Sequence, residues 1–144
     1  MIRTKVISVG DEILIGQIVN TNSAFLGQRF FAAGMPVERT VVISDNESAM
    51  LDEFSNSVKE FDLTVITGGL GPTHDDITKP ALVKFFGDEL VKDQKVLGHV
   101  KKFFADRKIV MPAVNEGQAL VPKNSEVIWN SNGTAPGIWM ESGG

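Results

Sequence analysis

The stretch DLTVITGGLGP, residues 62–72, constrains the fold of this chain more than any other. Residues 62–67 read as a continuous apolar strand, the pattern of a strand buried on both faces of a parallel sheet. Such a strand cannot stand alone, because each face must be covered by another element. The sequence supplies the cover in alternation. TKVISVG (4–10) is β-branched and ends in glycine, which predicts a strand. NTNSAFLGQRFFAAG (20–34) sets Phe25, Leu26, Phe30 and Ala33 at helical spacing, and Gly34 and Pro36 stop it. VERTVVIS (37–44) predicts a second strand. A helix follows at about 46–60, with Leu51, Phe54, Val58 and Phe61 as its apolar stripe. Ser44 and Glu47 have the spacing of a capping box, and Asp45 is the other candidate cap. After the glycines, helices are expected from about Thr78 to Phe86 and over about 92–106, the latter through Val96, Val100 and Phe103. EVIWN and GIWM are short strand candidates on either side of SNGTAP. The order strand–helix, three times over, predicts an α/β domain with a largely parallel sheet covered on both faces. In such folds ligands sit beyond the carboxyl ends of the strands.

The loop after residue 67 carries opposing chemistry. Gly68, Gly69 and Gly71 let the backbone come close to a ligand and turn successive N–H groups toward an anion. A tight strand-to-helix turn bent by Pro72 explains the same glycines. The loop is neither a Walker sequence nor a dinucleotide-binding Gly-x-Gly-x-x-Gly. Asp75 and Asp76 follow, where the next helix begins. One of them could cap that helix. A second carboxylate beside an anion nest would repel the anion by ~1 kcal/mol at 4 Å in water and ~4 kcal/mol at an effective dielectric of 20. A divalent cation between carboxylate and phosphate reverses that sign, and Mg²⁺ is commonly held by one or two carboxylates plus substrate phosphates. The combination points to a metal-bridged phosphate or diphosphate site. His74 is a general base, a ring for stacking, or an exposed loop residue. Asp11, Glu12, Asp45 and Asn46 fall at the ends of the other strands, where capping and solvation explain each one separately. NTNS (20–23) is an N-cap cluster or a set of ligand hydrogen-bonders. NGTAPG (132–137) is a plain hairpin or a second ligand loop.

Composition narrows the class. The 144 residues suffice for one domain with its own core. The net charge of -4 argues against a non-specific nucleic-acid binder. Charge is uneven: Lys92, Lys95, Lys101, Lys102, Arg107 and Lys108 against Asp93 and Asp106 make that segment +4 and leave -8 elsewhere. A solvated helix face accounts for most of these lysines; Arg107 or Lys108 could reach an anion. Adjacent Phe103 and Phe104 cannot both face a narrow stripe, so one either widens it or packs against another subunit. Cysteine is absent, which removes disulfides and thiolate metal sites. With no signal-peptide core and no spanning apolar run, a soluble cytoplasmic domain is expected.

SVGDEILIGQIVNTNSAFLGQRFFAAGM, TVVISDNE, VITGGLGPTHDDITKPAL, MPAVNEGQALVP and NSNGTAPGIWME together resemble the N-terminal domain of the competence/damage-inducible CinA family. That domain lies within the MoaB/Mog-like molybdopterin-binding superfamily. The resemblance runs over nearly the whole chain. It implies a three-layer α/β/α fold with a mostly parallel sheet, a single domain over 1–144, and a homo-oligomer, dimer or trimer. CinA-like domains usually continue into a further strand and loop, so the end at Gly143–Gly144 reads as a truncation. The separate deamidase domain of many members is not expected here. For CinA-type domains the resemblance implies metal-dependent hydrolysis of ADP-ribose to AMP and ribose 5-phosphate. For the Mog-like relatives it implies binding or adenylylation of molybdopterin. A third reading is a non-catalytic nucleotide-binding module.

The same resemblance places Asp76 and Asp45 at the catalytic or metal-binding positions, with Asp75 as a further metal candidate and Mg²⁺ as the expected ion. Gly68, Gly69, Gly71, Pro72, Thr73 and Thr78 form the expected phosphate loop. Asn20, Asn22, Asn115, Gly133 and Thr134 are the expected contacts to ribose or base. The expected partner is a small-molecule nucleotide or pterin phosphate, with no nucleic acid and no membrane.

Overall fold

A computed structural model describes residues 1–143; Gly144, the last residue of the expected domain, lies outside them. The chain divides into two compact units, Met1–Gly69 and Leu70 onward, with the boundary inside the glycine loop.

The first unit is built on a parallel sheet of β1 (Thr4–Val9), β2 (Val37–Ile43) and β3 (Leu63–Thr67), in the order β2-β1-β3. The connections carry α1 (Asp11–Leu14), α2 (Thr21–Ala32) and α3 (Glu47–Glu60). The α/β class expected from the alternation is therefore present, and α1 is a four-residue addition too short to show periodicity. All six residues of the central strand β1 are buried. One of them is Lys5, 1% exposed. A buried ammonium costs several kcal/mol unless it is paired. Glu53 of α3 pairs with it, and the Phe61 ring centroid lies 5.1 Å from its Nζ.

Two local expectations are corrected. The cap of α3 is Asn46, whose extended backbone and side chain let it accept a 3.1 Å bond from the Ala49 N–H. Neither Ser44 nor Asp45 does this, because the helix begins only at Glu47. The buried row of α3 is Met50, Phe54 and Ser57, not Leu51, Phe54 and Val58; Val58 is 49% exposed. The two rows lie one residue apart, and a phenylalanine common to both does not tell them apart.

The second unit holds two short antiparallel ribbons and two helices. β4 (Leu90–Lys92) pairs with β5 (Leu120–Pro122), and β6 (Glu126–Ile128) with β7 (Gly137–Trp139). The helices are α4 (Thr78–Phe86) and α5 (Gln94–Asp106), and a 3-10 helix spans Ala113–Ala119. The three-residue strands β4 and β5 escaped the sequence reading for the same reason as α1. Lys92 belongs to β4, and α5 starts after its cap Asp93, which accepts from the Lys95 and Val96 amides. Val96, Leu97 and Val100 pack with Ala119 and Val121, and Phe104, Met111 and Val127 close the cluster. Phe104 is thus the core member of the phenylalanine pair. Phe103 carries the Arg107 guanidinium 3.5 Å from its ring centroid, and that guanidinium also donates to the Phe103 carbonyl. Among the described residues no helix is long and apolar enough to cross a membrane.

Lys108 ends α5 at φ 56, a left-handed conformation that favours glycine. The Ile109 N–H reaches the Phe104 carbonyl and the Lys108 N–H the Ala105 carbonyl, which is a Schellman closure. Lys108→Gly is therefore expected to stabilise the protein by roughly 0.5–1 kcal/mol, read from urea unfolding midpoints.

Candidate functional site

The parallel register sends all three strands of the first unit to one carboxyl edge, where Ser8 lies opposite Thr67 and Val9 opposite Ile43. Five expected site residues belong to this unit. Asn20 caps α2 and exchanges hydrogen bonds with the Ser8 hydroxyl at 3.0–3.1 Å. Asn22 donates to the Thr67 hydroxyl at 2.9 Å. Both amides are thus engaged in holding the start of α2 against the strand ends. Asp45 accepts from the Asp11 N–H at 3.3 Å, and the Asp45 N–H reaches the Asp11 carboxylate at 3.4 Å. Gly68 leaves β3 at φ 104, and a Cβ there would lie 2.3 Å from the Val9 carbonyl oxygen. No side chain fits in that space. Gly69 follows as the last residue of the unit.

Gly71, Pro72, Thr73, Asp75, Asp76, Thr78, Asn115, Gly133 and Thr134 belong to the second unit. Asp76 decides the shape of its loop. Its Oδ2 accepts from the Thr73 N–H at 3.0 Å and from the Thr73 hydroxyl at 2.7 Å, and the Gly71 N–H adds a third bond. A Cβ on Gly71 would lie 2.5 Å from that oxygen, so the carboxylate occupies the space a side chain would take. Of the glycine amides expected to face an outside anion, that of Gly71 is turned onto an internal one. Neither aspartate caps α4: its cap position is Ile77, without a side-chain bond. Pro80 in the first turn has no N–H, so the helix start has one donor fewer to satisfy.

A cavity of about 170 Å³ opens beside this turn, lined by Gly71, Thr73, Asp76, Lys79, Gly117 and Leu120 among others. Lys79 was not among the expected site residues. It is 5% exposed, and its Nζ donates to the carbonyls of Leu120 at 2.8 Å and Gly117 at 3.3 Å. Burial pushes its ammonium below the ordinary lysine range, and the Asp76 charge offsets part of that. For Asp76, burial works upward, but the Thr73 hydroxyl, the Thr73 and Gly71 amides and the Lys79 charge outweigh it. The carboxyl therefore lies below its usual range and is ionised at neutral pH.

The remaining candidates stand elsewhere in the unit. Asp75 is exposed and pairs with His74 at 3.2 Å. Thr78 is buried at the first turn of α4. Asn115 donates to Gln118 within the 3-10 helix. Gly133 and Thr134 lie in the loop of the β6–β7 hairpin. There the Gly133 and Asn130 carbonyls flank His99 Nε2 at 3.3 and 2.9 Å. Carbonyls only accept, so that nitrogen carries the proton. Among the described residues no three His, Cys, Asp or Glu side chains form a group that could hold a metal ion.

The family described as "Probable molybdopterin binding domain" matches residues 5–143. A CinA-like protein of Flavobacterium psychrophilum is 44% identical over 96% of this chain and 34% of its own length. The crystal structure of a CinA protein of unknown function from Thermoplasma acidophilum is 36% identical, with a TM-score of 0.84 over 94% of this chain and 79% of that one. This chain belongs to the CinA family. It corresponds to the N-terminal, MoaB/Mog-like molybdopterin-binding domain of that family. A molybdopterin biosynthesis protein from Mycobacterium abscessus shares the fold, with a TM-score of 0.57 over 84% of this chain and 78% of that one at 20% identity. The CinA-type chain spans about a third of the length of the curated relatives it matches.

The lowered pKa of Asp76 has a sign. Its contribution to stability is fully present above the unfolded value of ~3.9 and is lost as pH falls through the lower folded value. Lys79 has the same sign in a different window: the folded chain releases that proton first, so stability rises as pH passes from its lowered value toward ~10.4. Asp76→Asn is expected to cost roughly 1–2 kcal/mol at pH 7 and much less near pH 2.5, measured by urea unfolding at both pH values.

Proposed function

We propose that this CinA-type domain hydrolyses a nucleoside diphosphate sugar such as ADP-ribose with a divalent cation, Mg²⁺ or similar. Water adds to one phosphorus, the bridging P–O bond breaks, and AMP and ribose 5-phosphate leave. The observation that supports this most is an ionised carboxylate, Asp76, set on the wall of a cavity beside a buried lysine. A carboxylate offers about four lone-pair sites, and three loop donors leave one for a cation. A single protein ligand of this kind suits Mg²⁺, which keeps several waters and takes the rest of its shell from substrate phosphates. When bound, the ion would polarise phosphoryl oxygens and lower the pKa of water.

The chain's own residues have separate tasks. The Thr73 hydroxyl and amide fix the Asp76 carboxylate in one orientation. The same donors explain why anion binding should need the cation. Without it a phosphoryl group competes with Asp76 for the Gly71 and Thr73 amides and meets its charge. At about 170 Å³ the cavity suits one phosphoryl group, not a whole nucleotide, whose usual pockets are ~300 Å³ and above. Ribose and base would then lie outside it. Assembly as a dimer or trimer belongs to the same proposal. The exposed apolar side chains of Leu14, Ile15 and Val19 support it.

The second reading is binding or adenylylation of molybdopterin, favoured by the family match over residues 5–143. Calorimetric titration with ADP-ribose and with a pterin phosphate, each with Mg²⁺, separates the two. Binding of the pterin alone would sink the hydrolase.

Incubation with ADP-ribose and a panel of divalent metals, resolved by chromatography, is expected to yield AMP. EDTA is expected to abolish it, and Asp76→Ala to slow it about a hundredfold or more. Equal AMP yield with EDTA or with Asp76→Ala overturns the proposal. The same assay on Asp45→Ala and Asp75→Ala tests whether either carboxylate joins Asp76 as a ligand.

A further inference from the structure

Lys79 is the one cationic side chain on the cavity wall, and it is 95% buried. A methionine or leucine at this first turn of α4 would fill the same volume without desolvating a charge. Its ammonium has three donors. Two are placed on the Leu120 and Gly117 carbonyls, which hold the group at a fixed position. Gly117 lies within the 3-10 helix and Leu120 opens β5, so two elements converge on one nitrogen. The neighbouring amide donors of the turn, from Gly71 and Thr73, are already taken by Asp76. An anion entering this cavity therefore finds Lys79 as its charged donor.

We infer that Lys79 is a binding residue for the phosphoryl group, its third N–H donating to a phosphoryl oxygen in the cavity while the Leu120 and Gly117 carbonyls fix its direction. This rests on the reading that a phosphoryl group enters this cavity. It assigns the anion's positive partner to a lysine instead of to the glycine turn. The expected ligand at this point is a tetrahedral oxyanion, and the rest of the molecule carrying it is chosen elsewhere. A purely structural Lys79, tying α4 to β5, would hold the same two carbonyls but would ignore an added anion.

The experiment uses the whole chain, inorganic phosphate and MgCl₂. The side-chain ammonium signals of the lysines are followed by ¹⁵N NMR as phosphate is added, and phosphate affinity is compared in Lys79→Arg and Lys79→Met. The Lys79 signal is expected to shift with saturation in the wild type. Lys79→Met is expected to weaken phosphate binding about tenfold or more, and Lys79→Arg much less. In the ADP-ribose assay the Lys79→Met effect is expected in KM more than in kcat.

A Lys79 signal that stays still at saturating phosphate overturns the inference, and this readout needs no variant to fold. So does a folded Lys79→Met that binds phosphate as tightly as the wild type, and so does a wild type that binds no phosphate. The hydrolase reading fails separately: phosphate that shifts Lys79 while ADP-ribose stays intact keeps the lysine site and removes the hydrolysis. AMP formation with an unmoved Lys79 signal does the reverse.

Discussion

A carboxylate placed beside backbone amides can serve them or compete with what they would otherwise bind, and the site in the second unit depends on which it does. Asp76 binds the amides of Gly71 and Thr73 and the Thr73 hydroxyl, so the turn is closed around its own anion. Three charge-assisted bonds give this turn one conformation instead of many. They hold the Asp76 side chain at the cavity wall in its ionised form. They also occupy two amides that a phosphate nest would otherwise use. In the proposed reading, affinity for an anion comes from a cation on Asp76, from Lys79, or from both.

The buried lysines show two solutions to one problem. Lys5 lies in the most buried strand of the first unit and has an acid partner on α3 and an aromatic face beside it. Lys79 is held by neutral carbonyls, with Asp76 supplying only part of the compensation. Charges in low dielectric are costly unless paired. Lys5 is paired outright, which suits a structural role. Lys79 keeps donor capacity and faces a cavity, which suits a ligand-facing role.

The membership in the CinA family extends over both units, since the family match covers residues 5–143 and the Thermoplasma acidophilum structure aligns over 94% of the chain. The glycine loop that carries much of the sequence signal is also where the two units join. One short segment therefore serves two demands. Gly68 permits the close approach to the Val9 carbonyl that ends β3. Gly71 leaves room for the Asp76 carboxylate that begins the second unit's site. The two glycines stand three positions apart in one motif but answer to unrelated neighbours.

The chain by itself determined the alternation of β1 to α4, because apolar periodicity and glycine or proline stops are local properties. It also marked the glycine turn and its aspartates as chemically unusual, since residue types alone set that conflict. Only the tertiary structure decided that Asp76 faces its own loop, that Asn46 caps α3, and that Met50 and Ser57 lie on the buried row in place of Leu51 and Val58. Only it brought Lys79 to Gly117 and Leu120, 38 and 41 residues away. A lysine at the start of a helix reads as solvated in sequence. Whether it is buried depends on what distant segment covers it, and no local pattern carries that information.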